Sequence, residues 1–261
     1  MKRRSQYAEF VDNNFGPPQN TKSLFHYTSV DALNGILPDE AKLGEEICLR
    51  ATHAKYLNDT KEVLLGVHFL FDFLYNENQG RRPSIEMLKK RLDDFETQWR
   101  RRFVISFSTK RESLPMWNMY ADKGKGVVLE FKKIPSPSDK DLVLQCVYAK
   151  RKIKQVLKSN NSDAITVLKM HTPLILKHPA YSYEREVRLI GIFESAAVKY
   201  RHKLGILIPY IEYRLPKEQL VSITIGPAAN QEVEDSLKKF LKSRGFTDVQ
   251  VKKSNIPFRN I

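Results

Sequence analysis

Cysteine is nearly absent from this chain: among 261 residues only Cys48 and Cys146 occur. That is too few for a disulfide scaffold or a thiolate metal cluster, and it predicts a reducing compartment. Long apolar runs are missing as well. No stretch approaches the ~18 residues a membrane-spanning helix needs. The start, Met1-Lys-Arg-Arg-Ser-Gln-Tyr-Ala8, has no apolar segment of a secretion signal. The chain is therefore expected to be cytoplasmic, with no membrane partner. Nucleotide fingerprints are lacking too. Gly124-x-Gly126 has no third glycine and no strand-to-helix context, and no Gly-x4-Gly-Lys-Ser/Thr run occurs, which argues against Rossmann and P-loop enzymes. There is no Gly-x-Ser-x-Gly elbow. The six histidines (26, 53, 68, 171, 178 and 202) show no zinc-like pairing, so no metal is expected. Acidic residues are outnumbered, 30 against 44 Lys and Arg, giving a net charge of +14 and a pI of about 9.6. Such an excess points to a polyanionic partner or an anionic substrate, or to a generally basic surface.

What is present is an ordinary globular balance, 41% hydrophobic and 28% charged. Residues 1–22 read as a polar N-terminal segment ending in Gly16-Pro17-Pro18. Residues 23–258 read as a single domain of catalytic type, carrying a helical insertion at about 61–102. Strands are expected at Leu24–Thr28, Glu46–Thr52, Arg102–Thr109, Val127–Lys133, Val143–Tyr148, Gly205–Pro209, Val221–Ile225 and Val249–Lys252. Helices are expected at Val30–Leu37, Lys61–Tyr75, Ser84–Arg102, Ala164–Leu176 and from Asn230 to Gly245, with a short one around Met116–Tyr120. Phe193–Leu204 reads as a loop. Helices and strands mix without a regular βαβ alternation, so the class is α+β.

The densest charge lies in Tyr181-Ser-Tyr-Glu-Arg-Glu-Val-Arg-Leu-Ile190. Read as one strand, it places Glu184, Glu186 and Arg188 on a common face. Such a face is either a structural ion network or a site. Other candidates gather by type. His26-Tyr27-Thr28 closes the first strand, Ser106-Phe-Ser108 closes a middle strand, and Trp117 and Tyr120 follow on a short helix. Singly, each has a structural reading: a strand-end histidine, or an aromatic pair in a core. Together they supply a polar group, aromatic planes and carboxylates suited to a nucleoside-type ligand. A weaker pattern, Asp122 with Glu130 and Lys132, is that of a metal-dependent nuclease.

Five segments resemble the bacterial domain of unknown function (DUF) 2971 family: Ile105-Ser-Phe-Ser-Thr109, Leu114-Pro-Met-Trp-Asn-Met-Tyr-Ala121, Gly126-Val-Val-Leu-Glu-Phe131, Tyr183-Glu-Arg-Glu-Val-Arg188 and Ile223-Thr-Ile-Gly-Pro227. Leu57-Asn-Asp59 is similar to the family's Leu-Asn-Asp-Pro turn, with Thr60 in place of the proline. The resemblance runs from about residue 22 to 258 and carries no activity. At motif level, His26-Tyr27-Thr28, the Ser-x-Ser strand and Glu184-x-Glu186 also resemble the three motifs of ADP-ribosyltransferases. That resemblance implies a single-domain split β-sandwich, two small mixed sheets with flanking helices, binding NAD in the cleft between them.

It further implies a transferase (a glycosyltransferase in the broad sense) using NAD as substrate. Cleavage of the nicotinamide–ribose bond passes through an oxocarbenium-like state akin to that of glycoside cleavage. Glu186 is the expected carboxylate at that cation, with Glu184 orienting or deprotonating the acceptor. His26, Tyr27, Thr28, Arg50, Ser106, Ser108, Trp117 and Tyr120 are the expected NAD contacts: His26 at a ribose hydroxyl, Tyr120 or Tyr27 on nicotinamide, Arg50 at the pyrophosphate. The acceptor is expected to be DNA or RNA, held by the basic segments 81–102, 150–158 and 238–253, with a protein acceptor as the alternative. By analogy the family role would be that of a toxin or phage-defence effector. The alternatives are a non-catalytic nucleic-acid or nucleotide-binding module, and the nuclease.

Overall fold

The computed structural model describes residues 6–39, 46–57, 65–70, 72–73, 101–132, 141–158, 171–192, 197–203 and 205–258. Its strands are β1 (Ser23–Thr28), β2 (Glu46–His53), β3 (Arg102–Ser108), β4 (Val127–Lys132), β5 (Leu142–Gln145), β6 (Glu186–Ile192), β7 (Lys199–Lys203), β8 (Ile206–Pro216), β9 (Leu220–Ile225) and β10 (Gln250–Lys253). Its helices are α1 (Gln6–Phe15), α2 (Leu33–Ile36), α3 (Leu114–Tyr120), α4 (Lys150–Leu157) and α5 (Glu232–Ser243). Residues 65–70, 72–73 and 171–175 are also helical. The fold is mixed α+β, as expected. No helix among the described residues is long and apolar enough to cross a membrane.

Everything hangs on β3. It reads Arg-Phe-Val-Ile-Ser-Phe-Ser, and every residue except Ser106 is buried. Such a run is that of a strand covered on both faces. β6 pairs with β3 from Arg102↔Ile192 to Ser108↔Glu186 and so occupies one whole edge. β1 and β2 must then share the other edge. β1 takes its end through Phe25↔Ser108, and β2 takes its start through Thr52↔Val104 and His53↔Phe103. Between those contacts the two strands diverge. One branch continues β1-β4-β9-β10, the other β2-β8-β7, and β3-β6-β5 forms the stem.

This forked topology corrects the two-sheet expectation: the strands form one hydrogen-bonded sheet of ten. The reason is that β3 belongs to both halves, so its backbone joins what the sequence reading separated. A second correction concerns 193–204, expected as a loop. Lys199–Lys203 is β7, paired antiparallel with β8 around Gly205, whose φ of +81° is open to glycine without strain. Its Lys-Tyr-Arg-His-Lys sequence carries no apolar alternation, because β7 lies at the end of its branch. β8 also runs seven residues beyond the expected strand end, to Pro216. The expected helix over 84–102 lies outside the described residues except at its end, where Arg102 opens β3 and is buried.

The core divides by face. Phe103, Ile105 and Phe107 of β3 join Val187 and Leu189 of β6 in the main cluster, covered by Leu33 and Ile36 of α2 and Leu237 and Leu241 of α5. On the opposite face Val104 and Ile190 pack with Val11 and Phe15 of α1, Ile153 of α4 and Leu174 and Ile175. Farther along that second face the apolar pairs give way to polar ones, Ser106↔Arg188 and Ser108↔Glu186. Paired side chains on antiparallel strands share a face. α3, started by Pro115 in its first turn, buries Met116 and Trp117 against Phe25, Tyr27 and Val128. Backbone approach holds it there: a Cβ on Gly126 would lie 2.3 Å from the Thr28 carbonyl oxygen and 2.9 Å from the backbone of Ala121.

Candidate functional site

Where β1 and β2 part company over β3, a cleft of about 680 Å³ opens. That is within the usual range of ligand sites, roughly 300–1,000 Å³. Ser106, the exposed residue of β3, sits in it with His26 of β1 and Arg50 of β2. α3 contributes Met119 and Tyr120, and the stem contributes Glu184, Glu186 and Arg188.

The deep end is a network of buried charge. Glu186 and Arg188 face the same way on β6, and their side chains interlock as a fork: Arg188 Nε donates to Oε1 at 2.8 Å and Nη2 to Oε2 at 3.0 Å. The remaining Arg188 nitrogen, Nη1, donates to the Leu174 carbonyl at 2.6 Å. Lys177 Nζ adds a bond to Glu186 Oε2 at 2.8 Å, and the Cys146 thiol a longer one at 3.4 Å. Burial alone would push the Glu186 carboxyl up, but Arg188 and Lys177 hold it well below the usual carboxylate range.

Glu184 arrives differently from the single-strand expectation. Pro179–Glu184 forms a 3-10 turn, Arg185 is left-handed with φ +46°, and the strand begins only at Glu186. Glu184 is nevertheless brought beside Glu186, because the turn folds back to Lys177, whose ammonium bonds both carboxylates. Ser108 Oγ anchors the turn by donating to the Glu184 carbonyl at 2.6 Å. The other Glu184 oxygen accepts from the Tyr120 hydroxyl at 2.7 Å. Burial pushes the Glu184 carboxyl up, outweighing Lys177 and Tyr120. The Tyr120 phenol is also pushed up, by burial and by Glu184, so it stays a donor. Two carboxylates bonded to one lysine thus have opposite leanings: Glu186 fixed as an anion, Glu184 disposed to take a proton.

At the fork itself, His26 Nδ1 lies 2.9 Å from the Ser106 carbonyl, an edge group of β3 that neither β1 nor β2 covers. A carbonyl only accepts, so Nδ1 carries the hydrogen and Nε2 is left as the acceptor. Burial lowers the histidine's pKa, partly countered by that bond, keeping the ring neutral. On the facing branch, Arg50 stacks 5.1 Å over the Tyr210 ring and Arg201 Nη2 donates to Thr52 Oγ1 at 2.9 Å. Arg201 Nε is buried with no partner. Burial and neighbouring Arg50 both disfavour the Arg201 charge, and neither arginine meets a carboxylate among the described residues. This end of the cleft carries two neighbouring positive charges.

The cleft therefore gathers His26, Tyr27, Thr28, Arg50, Ser106, Ser108, Tyr120, Glu184 and Glu186. Tyr27 stands in its wall, with its hydroxyl bonded to the Arg111 carbonyl at 2.7 Å and its ring edge-on to Trp117. Trp117 is not in the cleft. It is wholly buried behind Tyr27, its Nε1 donating to Glu112 at 3.0 Å, because the aromatic face of α3 turns to the core and leaves Tyr120 outward. The nuclease pattern is not assembled either. Glu130 bonds Ser23, Ser222 and Lys252, while Asp122 is exposed in the turn before β4. No group of three His, Cys, Asp or Glu among the described residues is arranged to hold a metal ion. Sequence reasoning missed Lys177 and Arg201. A single lysine closing the apolar run Leu174-Ile-Leu176 was the available signal for the first. Arg201 lay in the segment read as a loop.

Residues 116–189 match the profile of a family described as protein of unknown function (DUF2971). The matched stretch runs from α3 into β6 and includes Tyr120, Lys177, Glu184, Glu186 and Arg188. No curated protein and no solved structure matches the chain, and no comparison shows the similarity to ADP-ribosyltransferases expected from the short motifs.

Proposed function

We propose that the cleft binds NAD and transfers its ADP-ribosyl group to a macromolecular acceptor. The observation that carries this reading is the forked sheet. It gathers a neutral histidine, a tyrosine–glutamate pair and two arginines that meet no carboxylate among the described residues from separate segments along one cleft. The arginines suit a diphosphate. His26 Nε2, as an acceptor, suits a ribose hydroxyl. An ADP-ribosyltransferase-like fold is consistent with a cleft at the parting of two strand groups.

In this reading the glycosidic C1′–N bond breaks and its electron pair leaves with nicotinamide, which departs neutral. The ribose cation is stabilised by the Glu184 carboxylate. The acceptor's oxygen or nitrogen then bonds C1′, and its proton passes to Glu184, whose raised pKa fits a general base. Glu186 is gripped by two cations, Arg188 and Lys177, that hold it as an anion, so Glu186 acts as a positioning residue for Lys177, which also bonds Glu184. The reacting carboxylate in this reading is Glu184, where the motif resemblance implies Glu186.

The test is incubation with adenylate-labelled NAD and a mixture of DNA, RNA and protein, following label transfer and nicotinamide release. The wild type should do both and Glu184→Gln neither. Absence of both from folded wild type refutes the reading. One observation favours the binding-module alternative: the charges of Lys177, Glu184, Glu186 and Arg188 balance one another internally. Tight NAD binding with no nicotinamide release would select it.

A further inference from the structure

α2 is one short turn, Leu33–Ile36, and its third residue is Gly35. Glycine gives up more backbone freedom on folding than any other residue, so inside a helix it is unfavourable unless something requires it. The backbone does not require it: the glycines with positive φ are Gly124, Gly205 and Gly245. A neighbour does. A Cβ on Gly35 would lie 3.1 Å from Arg50 Nη2 and 3.7 Å from Arg50 Cζ, and among the described residues nothing else would come within 4 Å of it. α2 has little room to retreat, because Leu33 and Ile36 are buried in the main core and Arg244, just past α5, donates to Asn34 at 3.3 Å. The side that yields is the end of the Arg50 side chain. Arg50 is the exposed residue of β2, and its guanidinium rests 5.1 Å over the ring of the buried Tyr210. Gly35 and Arg50 both line the cleft.

We infer that Gly35 is a positioning residue for Arg50: the room left by its missing side chain lets the guanidinium rest on Tyr210, where it meets the diphosphate of a ligand in the cleft. This rests on the reading of the cleft as an NAD site and concerns the diphosphate part of it. An arginine set against a ring has less rotamer freedom left to lose when it binds, so the ligand is spared that ordering. An added methyl group at Gly35 displaces the guanidinium and leaves the helix in place.

The experiment is calorimetric titration of the full chain with NAD and, separately, with inorganic pyrophosphate, for wild type, Gly35→Ala, Arg50→Gln and the double variant. Arg50→Gln should weaken both ligands by about tenfold or more, as the loss of a charge-assisted hydrogen bond does. Gly35→Ala should weaken both by about threefold, the size of a coupling between residues in contact. Its melting temperature should equal or exceed that of wild type, since alanine is the better helix residue. In the Arg50→Gln background, Gly35→Ala should change neither affinity, because nothing is left to position. A methyl group that merely blocked the cleft would weaken binding equally in both backgrounds. That equal loss, an unchanged affinity in Gly35→Ala alone, or a lowered melting temperature would each overturn the inference. Wild type that binds neither ligand would overturn it together with the NAD reading. The expected coupling without nicotinamide release would uphold it and end the transfer reading alone.

Discussion

Replacing Glu186 and Glu184 in turn by glutamine should separate the structural carboxylate from the reactive one. In Glu186→Gln the amide keeps the shape but loses the charge facing Arg188 at 2.8 and 3.0 Å and Lys177 at 2.8 Å. Arg188 is buried, and it then keeps its charge without the carboxylate that its fork grips. Breaking a buried pair in this way costs about 3–5 kcal/mol. For a chain of this size that is on the order of 10 °C in melting temperature. In Glu184→Gln the amide oxygen still accepts from Tyr120, and Lys177 still has Glu186, so the loss is about 1 kcal/mol or less. The pH dependence has opposite signs. Glu186, with its pKa lowered, adds stability above the ordinary carboxylate range of about 4.5 that is lost as pH falls. Glu184, with its pKa raised, favours folding below about 4.5 and loses that contribution as pH rises through its folded value. Urea unfolding from about pH 2 to about pH 8 reads both, and nicotinamide release reads the chemistry. Expected are an unstable Glu186→Gln, and a folded Glu184→Gln that releases nothing and is less penalised at high pH. A Glu186→Gln protein as stable as wild type would refute the assignment.

Tyr120→Phe removes the donor that holds Glu184 ionised, so the Glu184 pKa should rise further and the acid limb of the nicotinamide-release profile should move to higher pH; an unmoved limb refutes the coupling. His171 is buried beside Arg102, and burial together with that charge pulls its pKa from 6.5 to about 3. The unfolded chain therefore binds the extra proton first, and stability should fall between pH 6.5 and 3 by up to ~1.4 kcal/mol per unit, a slope that urea midpoints should find flattened in His171→Asn.

The strands were legible where burial leaves a mark in composition. Arg102–Ser108 announces a doubly covered strand by its successive bulky residues, and Ser106 stands out as the polar break that became the cleft floor. Ser106 and Ser108 pair across the strands with Arg188 and Glu186, a register that grouping Ser-x-Ser with Glu184-x-Glu186 by type does not reveal. The fork was not legible, since nothing in Phe25 or Thr52 says that both strands contact one edge of β3. Nor was the turn before Glu186. Alternation assumes an unbroken strand, and the left-handed Arg185 is invisible in a sequence where no glycine marks it. Lys177 was passed over because one lysine after a helical run usually faces solvent. Here it is swallowed by two carboxylates more than six residues downstream.

The way β3 is gripped has a mechanical side. β6 holds it along its full length, while β1 touches it through one residue pair and β2 through two. The stem is thus the stiff member and the two branches are the compliant ones. Twisting about Phe25/Ser108 and Thr52/Val104 carries the arginine wall and the histidine wall apart without breaking the ladder that sets Glu186 and Arg188. Under the proposed function, a bulky ligand would be admitted by bending where the sheet is weakly joined. The groups that would react with it stay on the part that does not bend.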